Sequence, residues 1–202
     1  MSYLFSRLRD KTKLMTQFCT LLIVSLLFSH NTFASGTIMI DLTRPSEYQR
    51  WQATNDNVMG GISQGQLSFD GQSSRFWGEL SLANNGGFSS VNRPIESLPA
   101  EVEQVELEFI GDGRTYQLRL ATWKNGNRIT YKHEFFTDNS GQRQKKIFDL
   151  KNFQAVFRGR LITDAPVLAA RDIKQVGMLI ADKKPGPFGI HLFQIQFKAG
   201  AN

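Results

Sequence analysis

Between residues 105 and 120, apolar side chains recur at every second position. Val105, Leu107 and Phe109 point one way while Glu106 and Glu108 point the other, and Tyr116, Leu118 and Leu120 alternate with Gln117 and Arg119. A period of two marks a strand with one buried face. Beyond the first thirty-odd residues, no stretch sustains the three- and four-residue apolar spacing of a main helix. Further strand-like runs lie at 37–42, 75–82, 88–92, 128–135, 145–150, 176–181 and 188–197. Nine or ten short strands separated by Gly- and Asn-rich turns predict an all-β fold of two packed antiparallel sheets. With no linker, internal repeat or low-complexity tract, residues 35–202 read as a single domain.

The turns carry specific expectations. Gly111-Asp112-Gly113-Arg114 is expected to close a hairpin between 105–109 and 116–120, and Asn125-Gly126 a second one between 118–123 and 128–135. Asp138-Asn139-Ser140-Gly141 is expected to close the next pair, towards 145–150. Residues 45–51 suit a helical turn, and 94–99 a connection.

Residues 1–34 follow the order of an export signal. Arg7, Arg9, Lys11 and Lys13 precede an apolar run from Phe18 to Phe28, and Thr32-Phe33-Ala34 supplies a small-x-small cleavage site. The run is 11 residues long, short of the roughly 20 needed to span a bilayer. Cleavage after Ala34 and a periplasmic or secreted destination are therefore expected. The segment also accounts for part of the charge: of 24 basic and 18 acidic side chains it holds four basic ones and Asp10, leaving 20 against 17. A formal +3 gives little ground for nucleic-acid binding. The single cysteine, Cys19, lies in the same segment. The rest of the chain therefore lacks thiolate catalysis and Cys-based metal or cluster sites.

Two glycine-centred segments stand out: Asn55-Asp56-Asn57-Val58-Met59-Gly60-Gly61-Ile62-Ser63 and Asn84-Asn85-Gly86-Gly87-Phe88-Ser89-Ser90-Val91. Gly reaches positive φ without penalty, and Asn and Asp side chains bond their own backbone in turns. Both segments read as crowded loops at a sheet edge.

Other residues offer weaker chemistry. His133 and His191 fall on different predicted strands without convergent ligands, so neither a metal site nor a cofactor is expected. Ser89 and Ser90 lack the flanking glycines of a nucleophile elbow. Asp56, Asp112, Asp164, Asp172 and Asp182 sit in or beside turns, and a convergent pair of them is what a hydrolase would need. Trp51, Trp77, Trp123, Phe88, Tyr131 and Phe188 are candidates for stacking on sugars or anchoring a partner, against core packing as the ordinary alternative. The stretch Lys183-Lys184-Pro185-Gly186-Pro187-Phe188 reads as a stiff basic loop with Phe188 at its tip.

Taken in order, these blocks resemble the complex I intermediate-associated protein 30 family. Trp51 with residues 55–63 is similar to its opening signature, and Phe76-Trp77-Gly78 with residues 84–91 to its second block. Gly111-Asp112-Gly113-Arg114-Thr115-Tyr116 is similar to the third, Phe157-Arg158-Gly159 to the fourth, and residues 177–188 to the last. Asn92 stands between Val91 and Arg93 where the family usually has arginine directly after valine. The resemblance implies a galactose-binding-domain-like jelly-roll sandwich. It also implies a non-catalytic, chaperone-like role, since mitochondrial members assist assembly of NADH:ubiquinone oxidoreductase.

The expectation is thus a non-catalytic binding module that engages a protein partner through its loops, with carbohydrate binding as the alternative and a paired-Asp hydrolase ranked last. The candidate contacts are Asn55, Asp56, Met59, Gly60, Gly61, Asn84, Asn85, Gly86, Gly87, Phe88, Arg114, Arg158, Asp182, Lys183 and Phe188.

Overall fold

The computed structural model describes residues 37–124 and 126–200. The chain divides into units Met1–Ala34 and Ser35–Asn202, and the first, read above as an export signal, lies outside the described residues.

Among the described residues, thirteen strands form two antiparallel sheets in a jelly-roll sandwich. The six-stranded sheet contains β1 (Ile38–Asp41), β3 (Gln64–Phe69), β4 (Ser74–Leu80), β6 (Val102–Ile110), β9 (Gln144–Asp149) and β13 (Gly186–Ala199), in the order β3-β4-β13-β6-β9. Along one edge of β13, β4 and then β1 pair end to end, while β6 occupies the other edge. The seven-stranded sheet runs β11 (Arg160–Leu161), β10 (Gln154–Phe157), β8 (Asn127–Phe136), β7 (Thr115–Lys124), β12 (Ile173–Ile180), β5 (Ser89–Pro94) and β2 (Gln52–Asn55). One helical turn, α1 (Pro45–Tyr48), connects β1 to β2.

The core follows from the alternation. Leu107 and Phe109 of β6, Leu118 and Leu120 of β7, and Val176 and Met178 of β12 are all buried. Aromatic rings bridge the sheets edge-to-face: Phe109 meets Phe135 at 5.4 Å between centroids, and Phe135 meets Phe148 at 5.4 Å. Such pairs add about 0.5–1.5 kcal/mol each beyond their buried area.

Two of the three expected hairpins are corrected. β7 and β8 do pair, around Gly126 at φ 76°. Gly111–Arg114, however, carries the chain from β6 in one sheet to β7 in the other, and residues 137–143 carry it back from β8 to β9. β6 and β9 then pair with each other. The two crossovers lie side by side. Thr137 donates from its N–H and its hydroxyl to the Arg114 carbonyl at 3.0 and 2.9 Å. A Cβ at Gly111 would lie 2.2 Å from the Thr137 Cβ, so close approach of these connections requires the missing side chain. β2, β3, β10 and β11 also escaped the periodicity, being short or polar.

Gly111→Ala is accordingly expected to cost about 1–3 kcal/mol by overpacking the paired crossovers. Urea unfolding checks this, and an unchanged midpoint would show that the crossovers part without cost.

Candidate functional site

β2 ends at Asn55, and a tight helical turn over Asp56–Met59 is closed by Gly60 at φ 91°. This turn buries the Asp56 side chain completely. Its carboxylate accepts from the Ser63 N–H at 2.8 Å, the Ser63 hydroxyl at 2.6 Å, the Gly87 N–H at 2.6 Å and the Phe88 N–H at 3.3 Å. The two glycine segments therefore meet on one side chain. A Cβ at Gly61 would lie 2.4 Å from the Asp56 Cγ, and one at Gly86 2.5 Å from Oδ2. Here the glycines make room for the carboxylate. Burial pushes the Asp56 pKa up, but the Ser63 hydroxyl and the N–H groups of Gly87, Ser63 and Phe88 outweigh it and hold the group lowered.

Several candidate contacts are turned inward, which corrects their reading as surface groups. Asp56 is inaccessible. Asn55 donates to the Gly65 carbonyl at 3.2 Å and accepts from the Ser89 hydroxyl at 2.6 Å, tying the edge of one sheet to the other. Arg114 and Asp182 form a buried ion pair through contacts of 2.9 and 2.6 Å. The same guanidinium bonds the carbonyls of Lys184, Gly186 and Pro187, fixing the basic loop. Phe188 is not a tip; it is buried and packs edge-to-face on Phe76 at 5.0 Å. Trp51 and Tyr131 are likewise core residues, and Trp77 is on the six-stranded sheet.

The remaining candidates converge. Met59, Asn85, Gly86, Gly87, Phe88, Arg158 and Lys183 line one groove of about 710 Å³, whose floor is Gln117, Arg119, Lys132 and Glu134 on the outer face of the seven-stranded sheet. Asn84 is the exposed neighbour of Asn85, and Gly60 closes the turn that carries Met59. Among the described residues, four non-glycine positions have positive φ: Asn84, Asn85, Arg158 and Lys183. All four are at or beside this rim. Asn tolerates that conformation through its short polar side chain, whereas for Arg and Lys it is a strain that tends to accompany ligand-holding sites.

A second depression of about 410 Å³ continues along the same face and shares Phe88, Arg119 and Leu179 with the first. It ends at Trp123, 46% exposed, with the Arg128 Cζ over its ring, 5.4 Å from the centroid. The polar floor is cross-linked. Gln117 and Lys132 both donate to Glu134, at 2.9 and 2.8 Å, Arg119 donates to Gln117 at 3.1 Å, and Arg128 donates to Gln175 at 2.7 Å. Burial, then the neighbouring Arg128 charge, presses the Arg119 pKa down to about 10, with Glu134 opposing.

The sequence reading did not select this floor. Its signal was the polar half of the alternation, where Gln117 and Arg119 face away from the core.

Other chemistry is sparse. Among the described residues, no three His, Cys, Asp or Glu side chains gather as metal ligands. Asp70 and Ser73 both contact His191 through the same Nδ1, at 2.9 and 3.2 Å. The imidazole therefore does not stand between them as a proton relay requires. Asp112 accepts from the Tyr116 hydroxyl and the Gly189 N–H, so neither it nor the Arg114-paired Asp182 belongs to an uncommitted carboxylate pair.

A family model described as Complex I intermediate-associated protein 30 matches residues 40–192. No curated protein sequence matches the chain significantly. Among solved structures, the family 11 carbohydrate-binding module of a cellulosomal cellulase of Clostridium thermocellum superposes with a TM-score of 0.63 at 10% identity, covering 84% of this chain and 98% of that one. The family 11 module from the same organism, in complex with a β-1,3-1,4-mixed-linked tetrasaccharide, gives 0.61 at 12% identity over 84% and 99%. The family 30 module of a C. thermocellum cellulosomal cellulase gives 0.54 at 9% identity over 82% and 99%. Identities this low speak for the shared fold alone.

Asp56→Ala is expected to cost about 3 kcal/mol, since it strands buried donors that served a charged acceptor. Because the folded pKa lies below the ordinary 3.8, the contribution of Asp56 is present above that value and lost as pH falls through the folded pKa. Unfolding curves between neutral and strongly acid pH check both points. Asp56→Asn should flatten the acid limb, and an unaltered limb would sink the assignment.

Proposed function

The chain belongs to the complex I intermediate-associated protein 30 family, and on that premise we propose that it is a non-catalytic binding domain whose groove receives an extended oligosaccharide. The observation that carries this reading is the continuous trough on the outer face of the seven-stranded sheet. Aromatic surface at Phe88 and Trp123 stands beside polar groups of Asn85, Asn92, Gln117 and Gln175. Sugar rings present an apolar face and a hydroxyl edge, and a trough of this composition matches both. The carbohydrate-binding modules that share the fold support the reading by analogy, which is a weaker warrant than the groove itself.

The strained rim fits the same role. Arg158 and Lys183 are held in left-handed conformations beside the groove, on loops anchored to a rigid sandwich. On our reading of residues 1–34 as an export signal, the domain works in the periplasm or outside the cell. That is the side of the membrane where envelope glycans lie, and the opposite side from matrix-arm assembly.

A second reading rests on one specific observation. Val58, Met59 and Ile62 on the first glycine segment, and Leu82 just before the second, are exposed by 69, 63, 57 and 42%. An apolar cluster on loops is what an assembly-factor-like domain would offer a protein partner.

The two readings separate by titration. With glycan oligomers followed by calorimetry, Phe88→Ala and Trp123→Ala are each expected to weaken binding about tenfold, equivalent to about 1.4 kcal/mol, while Met59→Asp has a smaller effect. Binding to no glycan, with a partner captured by the wild type and lost in Met59→Asp, would replace the first reading with the second.

A further inference from the structure

The groove treats its arginines unlike the buried arginines elsewhere in the molecule. Arg93 is buried against Glu47, and Arg114 against Asp182. Burying a cation without a counter-charge is costly, so pairing of this kind is the rule. On the floor of the groove the half-buried Arg119 departs from that rule, beside an Arg128 that is exposed. Among the described residues, neither Arg119 nor Arg128 has a carboxylate within 4.0 Å.

The surroundings increase the imbalance. The two connected depressions are lined by Arg119, Arg128, Lys132, Arg158 and Lys183, against the single carboxylate of Glu134. Lys132 already engages that carboxylate at 2.8 Å, with Gln117 as a second donor. Arg119 is half-buried on β7, the central strand of the sheet, and among the described residues only its Nε is bonded, to Gln117. Arg128 has its Cζ over the Trp123 ring, 5.4 Å from the centroid, and donates to the neutral Gln175. Trp123 is four residues from Arg119 along β7, roughly 13 Å at the rise of a strand. The cationic groups are thus spread along the trough and do not form one point of charge.

Resting on the reading of the groove as a glycan site, we propose that its ligand is an acidic oligosaccharide, whose anionic substituents complete the half-made coordination of Arg119 and Arg128. A planar guanidinium presents paired N–H donors that match a carboxylate in bidentate fashion, and sulfate esters offer oxygens of the same kind. Phe88 and Trp123 take the ring faces while the arginines read the charge. The half-buried, unpaired guanidinium of Arg119 also disfavours a neutral polymer, which strips water from the charge and returns no counter-ion.

The test is calorimetric titration of the purified protein with oligogalacturonate, with the same oligomer fully methyl-esterified, and with a sulfated oligosaccharide beside its desulfated counterpart. The acid form of one pair is expected to bind at least tenfold more tightly than its neutral counterpart, and the preferred pair tells carboxylate from sulfate. That preference should shrink as sodium chloride rises. Arg119→Gln and Arg128→Gln should each weaken the acid form at least fivefold more than they weaken the neutral form, and unfold at the wild-type temperature. Phe88→Ala should weaken both forms.

Equal binding of charged and neutral forms, with Arg119→Gln and Arg128→Gln silent, would overturn the charge assignment and leave the glycan site standing. Binding to neither form of either pair, nor to any neutral glycan, would overturn the site together with the proposal.

Discussion

The buried Asp56 carboxylate is the joint on which the loop end of this molecule depends. It gathers donors from Ser63, Gly87 and Phe88, residues up to 32 positions away in the chain. The β2–β5 pairing ends at Asn55 and Ser89, with one backbone bond from the Asp56 N–H to the Phe88 carbonyl beyond it, and the carboxylate extends that junction into the loops. With it they form one wall, and Met59 and Phe88 face the same groove. Gly61 and Gly86 are glycines because a side chain at either would occupy the space of the carboxylate. The wall is therefore positioned by hydrogen bonds to a charge, which are stronger and more directional than apolar contacts.

The Arg114–Asp182 pair does the same work on the neighbouring loop, at the end of the sheet where Ser89 pairs with Ile180. Its guanidinium bonds three carbonyls of the loop that carries Lys183, so a basic segment rich in Pro and Gly is held in one conformation. Both loops are thus fixed from inside by buried polar groups. The floor beside them belongs to the three middle strands of the larger sheet, β8, β7 and β12. A rigid floor with fixed rims is preorganised, and binding to such a site costs little conformational entropy.

How far the sequence foretold this depended on what each residue type advertises. Period-two alternation announced the strands and which face of each is buried, and it announced the β7–β8 hairpin. It did not announce which sheet a strand joins. A Gly-Asp-Gly turn looks alike whether it folds a strand back on its neighbour or carries it across the sandwich, and so two crossovers read as hairpins. The glycine segments were legible as special. Their inward-facing members were not, since nothing in the letters separates an Asp that binds a ligand from one that binds backbone N–H groups. The floor went unnoticed for the opposite reason. Gln117, Arg119, Lys132 and Glu134 are what any solvent-facing strand carries, and only the fold gathers them beside these loops.

The 14-residue strand β13 has a bearing on how the molecule comes into being. It follows the other described strands, yet it is the partner of β1, β4 and β6 alike. Until it emerges from the ribosome, the smaller sheet has no centre, and the apolar faces of β4 and β6 have nothing between them. Long-range pairing of this kind delays folding until the closing strand is available. Completion of the smaller sheet is therefore a late event in the folding of this domain, while each strand of the larger sheet finds its partners without β13.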